Sequence, residues 1–260
     1  MPGSRQPEPY ASGMRLTVLG GCGGWPAAPG TACSGYLVEH DGFRVLIDPG
    51  YATFPRLLEH CDAADVDTVL VSHGHPDHCA DLNPLLRARA LADRPAPRLR
   101  VHAPPGALSA VLALDRPGML DDAFELNEFV PGSAFGAGPF SVRTWLLPHW
   151  LPNAGLRLQA AGTSLAYTGD TGPSPDLPAL ARDAGLLIAE ASYPEHVPRD
   201  SAPYLSSARQ AGRVATAAGV RGLILTHLMP GTAADAARSA AAAGYDGDIT
   251  VAAPGLVRSV

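Results

Sequence analysis

The sequence predicts a single α/β domain in which two β-sheets pack together and helices cover their outer faces. Three observations carry this expectation. Short apolar, β-branched runs recur through both halves of the chain. Helical spacings fall between those runs rather than in a separate block. No linker or repeat divides the 260 residues, a length that buries a large core in one domain. Residues 1–12 are polar and proline-rich and read as a disordered leader, which leaves 13–260 as the folded unit.

Met14–Leu19 reads as the first strand and enters the turn Gly20-Gly21-Cys22-Gly23-Gly24. That turn lacks the spacing of a phosphate loop or dinucleotide fingerprint. Tyr36–Glu39 and Phe43–Ile47 flank His40-Asp41-Gly42 as a hairpin, and Asp48-Pro49-Gly50 ends its second arm. The run Thr68–Val71 is a buried strand that stops at a loop carrying His73 to His78. Asp81–Asp93 has helical spacing in Leu82, Leu85, Leu86 and Ala90, with Pro84 tolerated near its start. Leu99–His102 is a short strand, followed by a helix over Pro105–Leu114. Phe140–Leu147 is a strand running into His149, and Leu156–Gln159 with Ser164–Tyr167 forms a hairpin leading into Thr168-Gly169-Asp170. A helix over Asp176–Ala184, a strand Leu186–Glu190, a helix Ser206–Ala218 and a strand Gly222–Leu225 follow, the last delivering His227. An alanine-rich helix and a strand Ile249–Ala252 close the chain.

The chain is 46% hydrophobic and 17% charged, ordinary for a globular enzyme. Its net charge is −6 and all 19 basic residues are arginine. An acidic chain without a basic run argues against tight, non-specific nucleic-acid binding, though not against a small phosphate substrate held by a metal. Cys22, Cys33, Cys61 and Cys79 show no C-x-x-C pair and no structural-zinc spacing; Cys79 reads as a packed small hydrophobe. With no secretory signal and no run of about 18 apolar residues, a cytoplasmic protein with reduced thiols and no membrane span is expected.

The chemistry concentrates in His73-Gly74-His75-Pro76-Asp77-His78. Three imidazoles and a carboxylate within six residues would be costly to bury alone, whereas divalent metal ions accept those donors. His149, Asp170 and His227 also fall at the C-terminal ends of predicted strands, which scattered surface histidines would not do. Separate rigid strand ends hold ligands to the tolerance a metal needs. His73 and His75, two apart on an extended segment, can point onto one metal, and Asp77 and His78 then turn toward a second.

Taken in order, these residues resemble the metallo-β-lactamase superfamily, whose H-x-H-x-D-H motif, distant His, Asp and final His make a dinuclear site. The resemblance runs from the glycine turn to the terminal strand and implies the family's four-layer αββα sandwich. It implies that His73, His75 and His149 hold one metal, that Asp77, His78 and His227 hold the other, and that Asp170 bridges them. The details are similar to the ribonuclease Z-like branch of phosphodiesterases. Tyr167-Thr168-Gly169-Asp170-Thr171-Gly172-Pro173 resembles that branch's segment around the bridging Asp, Glu190-Ala191-Ser192 its Glu-Ala-Thr motif, and Leu225-Thr226-His227 its final ligand. The glycine- and lysine-rich arm with which true ribonuclease Z enzymes grip tRNA is not seen, which speaks against tRNA processing. Members of the branch typically carry a histidine that pairs with the motif Glu and protonates the leaving group; here that position reads Tyr204-Leu205-Ser206-Ser207. Either Tyr204, a poorer acid with an ordinary pKa of about 10, serves there, or His196 reaches in, or the leaving group needs little help.

The resemblance therefore implies a dinuclear metal-dependent hydrolase, with zinc expected and manganese or iron able to use the same ligands. A hydroxide shared by the ions would attack a small or cyclic phosphodiester while the ions offset oxyanion charge. Asp77, Glu190 and Tyr204 are the expected catalytic residues, with Asp77 orienting the nucleophile or taking its proton. Hydrolysis of a lactone, thioester or other carbonyl ester is the alternative, as is a metal-loaded protein that binds without cutting. The expected partner is a small molecule; relatives often pair, so a homodimer is allowed, although no residue points to one. Of the remaining candidates, Asp48 reads as a hydrogen-bonding anchor and His102 as packing or pocket lining. His40 and His60 read as solvated, and Trp145 and Trp150 as core packing, with a place at the substrate mouth as the alternative for Trp150.

Overall fold

A computed structural model describes residues 13–94 and 96–260, so the expected leader at 1–12 lies outside the described residues. The first half of the chain builds one sheet from β1 (Arg15–Gly20), β2 (Gly35–His40), β3 (Phe43–Ile47), β4 (Thr68–Leu70), β5 (Leu99–Ala103) and β6 (Phe124–Glu128). The second half builds another from β7 (Ala134–Ala137), β8 (Phe140–Leu147), β9 (Asn153–Ala160), β10 (Thr163–Tyr167), β11 (Leu186–Glu190), β12 (Gly222–Thr226) and β13 (Asp248–Val251). A last strand, β14 (Val257–Ser259), returns to pair antiparallel with β1. The orders are β14-β1-β2-β3-β4-β5-β6 and β13-β12-β11-β10-β9-β8-β7.

Each sheet joins an antiparallel part to a parallel one, which runs from β3 to β6 in the first and from β10 to β13 in the second. Parallel neighbours need crossovers, and the helices supply most of them. They are α1 (Thr53–Leu57), α2 (Pro76–Cys79), α3 (Leu82–Ala90) and α4 (Ser109–Leu112) beside the first sheet, and α5 (Leu177–Ala181), α6 (Ala208–Ala218) and α7 (Ala234–Ala242) beside the second. Ser207 caps α6 by accepting the Gln210 N–H at 3.3 Å, while the Gln210 side chain accepts the Ser207 N–H at 2.8 Å.

Alternation along the strands divides side chains between faces. Leu16, Val18, Tyr36, Val38, Val45 and Ile47 meet Val142, Leu156, Leu158, Leu165, Tyr167 and Ile188 in a buried layer between the sheets. On the first sheet's outer face, Leu37, Leu46, Val69 and Val101 cluster with Leu82, Leu85 and Leu86 of α3. On the second sheet's outer face, Leu187, Ala189, Leu223 and Leu225 cluster with Leu180 of α5, Ala211 and Ala215 of α6 and Ala237 of α7. The expected αββα order of layers is the one observed. Among the described residues no helix is long and apolar enough to cross a membrane.

Several elements depart from the expectation. The helix after β5 contracts to Ser109–Leu112, because Gly106 takes a φ of 73° and interrupts the helical path before it. Strands β6, β7 and β14 were not anticipated, and all three are outermost strands. Outermost strands need less apolar alternation, and β6 is largely exposed. Helices α1 and α2 are too short to show a period. His40 is buried rather than solvated: its ring meets Phe140 edge-on, and Nδ1 lies 3.2 Å from the Gly13 carbonyl of the segment that enters β1. His60 is exposed as expected.

Leu158 is fully buried between the sheets. Leu158→Ala should lower unfolding stability by about 2–5 kcal/mol, read as a fall in denaturant midpoint at unchanged slope.

Candidate metal centre

The six-residue motif leaves β4 extended and becomes helical halfway through. His75 is extended, with φ −71° and ψ 142°, and Pro76 opens α2 at a position where its missing N–H leaves no helical bond unmade. That change puts His73 and His75 on the extended side, as expected, and Asp77 and His78 in the first turn of a short helix where the sequence predicts only a loop. His149 follows β8, Asp170 follows β10 and His227 follows β12. His227 takes a φ of 59°, left-handed backbone that costs a non-glycine residue on the order of 1–3 kcal/mol. Its ring is held by the glycine turn, since a Cβ added to Gly23 would sit 2.9 Å from the His227 Nδ1 and Cε1.

These elements bring all the expected ligands together. His73 Nε2 and His149 Nε2 each lie 3.0 Å from His75 Nδ1. Beside them, Asp77 Oδ2 sits 3.2 Å from His227 Nε2 and 3.7 Å from His78 Nε2. Asp170 joins the two groups. Its Oδ2 is 3.8 Å from His73 Nε2, 3.9 Å from His149 Nε2 and 3.1 Å from His227 Nε2, and its Oδ1 is 3.3 Å from His78 Nε2. In each group, one potential ligand atom per residue lies within 4.8 Å of the others.

The outward edges of the rings decide what the inward atoms carry. His149 Nδ1 faces the Tyr204 carbonyl at 2.9 Å and His78 Nδ1 faces the Asp48 carboxylate at 2.7 Å. Neither partner can donate, so both Nδ1 atoms bear a proton. Ser72 Oγ donates to Asp48 Oδ2 at 2.6 Å and so accepts from His73 Nδ1 at 3.0 Å. Ser192 Oγ donates to Glu190 Oε1 at 2.7 Å and so accepts from His227 Nδ1 at 2.9 Å. In their neutral forms these four rings would therefore aim Nε2 lone pairs at one another and at two carboxylates. Such an arrangement repels itself unless cations occupy it. His78 Nε2 and Asp170 Oδ1 are buried without a hydrogen-bond partner, at a cost of about 1–3 kcal/mol each. The donors fit divalent metal ions, and hydrogen-bonded anchors behind metal-bound histidines are what hold such rings in register.

With protons as the available cations, the groups separate. Burial holds His73 well below the ordinary histidine value and lowers His75 and His149. Burial acts the same way on His78 and His227, but the Asp170 charge overrides it, raising His78 well above the ordinary value and His227 to about 9. Burial opposes ionisation of Asp77, yet the His227 hydrogen bond and the nearby His78 charge bring it down to about 2. Ion uptake at neutral pH therefore expels protons from His78 and His227, and uptake weakens as pH falls.

Asp48 accepts from the Ser72 N–H at 2.7 Å, the Ser72 hydroxyl, His78 Nδ1 and the Tyr167 hydroxyl at 2.8 Å. Four donors fill its acceptor positions, so it anchors His78 directly and His73 through Ser72, a hydrogen-bonding role as expected, although it also forms a group with His73 and His78 that could hold an ion. Glu190 is buried, and its carboxylate accepts from Ser192 Oγ and from the Ser206 and Thr171 N–H groups. Burial, then the Asp170 charge, pushes it up to about 8. Two backbone N–H groups and Ser192 take the Glu190 carboxylate, so Tyr204 does not pair with it as the branch's histidine does; Tyr204 lies against Trp150 with ring centroids 5.1 Å apart. Trp150 is 51% exposed, 5.0 Å from the His149 ring, so it stands at the rim rather than in the core. Trp145 packs at the edge of the helix-side core, and His102 stacks on Phe135 at 4.6 Å. Cys79 is buried and donates to the His75 carbonyl. His196 is exposed and lines a cavity with Glu195 and Arg209 that includes none of the clustered residues.

Sequence reasoning missed the roles of Ser72, Ser192 and the Gly24 N–H, which donates to Asp77 Oδ2 at 2.8 Å. Ser192 carried a usable signal, because it lies two residues beyond Glu190 at a strand end and so shares its face.

An αββα sandwich whose strand ends gather two overlapping His/Asp groups is the architecture of a metal-dependent hydrolase. A Beta-lactamase superfamily domain matches residues 43–228. An uncharacterized protein of Mycobacterium tuberculosis is 36% identical over 244 residues, covering 91% of this chain and 88% of its own. The probable metallo-hydrolase YhfI of Bacillus subtilis is 29% identical over 247 residues, covering 94% of this chain and 99% of its own. Its crystal structure matches with a TM-score of 0.87 at 27% identity, covering 96% of this chain and 100% of that one. A ribonuclease Z of Halobacterium salinarum is 26% identical over 302 residues, covering 95% of this chain and 97% of its own. The chain belongs to the metallo-β-lactamase superfamily, in its ribonuclease Z-like branch, and is a metallo-hydrolase.

Ser192→Ala removes the acceptor of the His227 Nδ1–H without touching a ligand. It should weaken metal binding roughly 10–100-fold, measured by competition with a chromophoric chelator.

Proposed function

We propose that the protein is a phosphodiesterase acting on small or cyclic phosphodiesters with two divalent ions, zinc by preference. The observation that carries this reading is the pair of His/Asp groups sharing Asp170. His73, His75 and His149 would hold one ion and Asp77, His78 and His227 the other, with Asp170 in reach of both groups. When bound, such ions lower the pKa of water and offset charge on the attacking and leaving oxygens of an in-line displacement. The similarity to a ribonuclease Z, with the Tyr167–Pro173 and Glu190-Ala191-Ser192 segments, supports a phosphoester over a carbonyl ester.

The chain's own groups supply orientation and proton movement. Asp48, Ser72 and Ser192 fix the imidazoles, and Glu190 acts through Ser192 as a positioning residue rather than a proton donor. Asp77 Oδ2, steadied by the Gly24 N–H, faces the shared space and orients the nucleophile; held at a pKa of about 2, it stays ionised and is too weak a base to take the proton. Tyr204, beside Trp150 and His149 at the rim, protonates the leaving oxygen. Trp150 offers its exposed face to a substituent of the diester. A chain without lysine and with net charge −6 suits a small substrate better than a polyanion. Reduced cysteines and a cytoplasmic site of action complete the reading.

Metal-reconstituted protein should hydrolyse bis(p-nitrophenyl) phosphate, and Asp170→Ala should lose both turnover and bound metal. Tyr204→Phe should change that rate little, because p-nitrophenolate leaves unaided. It should slow diesters with alkoxide leaving groups roughly 10²–10⁴-fold. Turnover of carbonyl esters with none of the diester would overturn the proposal.

A further inference from the structure

The glycine turn after β1 carries Cys22, and the segment leading into β2 carries Cys33. Their sulfur atoms lie 3.7 Å apart. The Cys22 N–H and thiol both donate to the Ala32 carbonyl, at 3.1 and 3.0 Å, so the two chain segments run side by side. A disulfide needs about 2.05 Å between sulfurs, so closure asks for an approach of about 1.7 Å rather than a refolding of either segment. Cys22 is half-buried and reachable from solvent, whereas Cys33 is buried behind it. This is the arrangement of an attacking thiol backed by a resolving one.

The turn is stitched to the centre on both sides of Cys22. Cys22 forms a bridge with Leu228, and the Gly23 N–H donates to the Leu228 carbonyl at 3.0 Å, next to His227. The Gly23 Cα lies so close to the His227 ring that a Cβ would collide with it. The Gly24 N–H holds Asp77 Oδ2 at 2.8 Å. A displacement of Cys22 toward Cys33 therefore acts on the two residues at one end of the cluster, Asp77 and His227, and not on His73, His75 or His149.

We propose that Cys22 and Cys33 are an oxidation site that closes to a reversible disulfide under peroxide, and that closure loosens the metal position formed by Asp77, His78 and His227. The Cys22 thiolate attacks one peroxide oxygen and the O–O bond breaks. The other oxygen leaves as hydroxide or alkoxide and takes a proton, and Cys22 becomes a sulfenic acid. The Cys33 sulfur then attacks the Cys22 sulfur, the S–S bond forms, and hydroxide leaves with the Cys33 proton as water. Two electrons pass from the thiols to the peroxide. The Cys33 hydrogen bond lowers the Cys22 thiol, and the same bond with burial raises Cys33, which assigns the attacking role to Cys22. The loss of metal rests on the reading of the cluster as a two-ion centre; the disulfide does not.

The test treats the zinc-loaded full chain with a small excess of hydrogen peroxide and uses no substrate. The expected result is loss of two hydrogens by intact mass, a Cys22–Cys33 cross-link in the non-reducing peptide map, and a fall of about half in bound zinc. Dithiothreitol should reverse all three. Cys33→Ser, and Cys22→Ser at the half-exposed position, should form no cross-link and keep their zinc. Absence of the cross-link overturns the site, and a cross-link with unchanged zinc overturns its coupling to the centre. Equal zinc loss in both serine variants would trace the effect to other oxidation and overturn the coupling as well. Failure of the phosphodiesterase assay would leave every one of these readouts standing.

Discussion

Everything at the strand ends depends on where four imidazole protons sit. The Tyr204 carbonyl, Asp48, Ser72 and Ser192 each take an Nδ1–H, and that commits the Nε2 lone pairs of His149, His78, His73 and His227 to the interior. A histidine free to change tautomer could relieve the resulting repulsion by turning a proton inward, and these cannot do so while neutral. The pKa shifts follow from the same arrangement. His227 rises to about 9 because a proton on Nε2 is the cheapest way to place positive charge between Asp77 and Asp170 in the absence of a larger cation.

The sandwich explains how so many short-range constraints are met at once. Residues from β4, β8, β10 and β12 reach one edge of the molecule from both sheets, so the middle apolar layer, not local sequence, sets the distances between ligands. Tyr36 and Tyr167 lie in that layer, with ring centroids 5.1 Å apart, and each turns its hydroxyl toward the site edge, to Thr226 and Asp48. The core thus ends in the hydrogen bonds that begin the centre. Asp48 and His227 both adopt left-handed backbone there, strain that the packed layer and the glycine turn sustain.

Much of this is legible in the sequence alone. The motif from His73 to His78 declared its chemistry because no other economical use exists for so many donors in six residues, and alternation marked the central strands. The outermost strands β6, β7 and β14 were not legible, since their pattern is set by a single neighbour and by solvent. The anchors were not legible either. Ser72 and Ser192 are ordinary residues whose meaning lies in a partner from elsewhere in the chain, such as Asp48 or His227. Nor were the surroundings of Glu190 legible: in place of the histidine that pairs with this Glu in the branch, Ser192 and two backbone N–H groups brought by the fold occupy it. His40 and Trp150 exchanged places with expectation for the same reason: burial depends on which segment crosses above a residue, and neighbours in sequence do not report that.

The decisive measurement is anomalous diffraction at the zinc edge from crystals of the loaded protein. Two peaks should appear on either side of Asp170, one among His73 Nε2, His75 Nδ1 and His149 Nε2, the other among Asp77 Oδ2, His78 Nε2 and His227 Nε2. A single peak, or an ion drawn to Asp48 with any of the four Nδ1 anchors broken, would contradict the view that fixed tautomers define a two-cation centre.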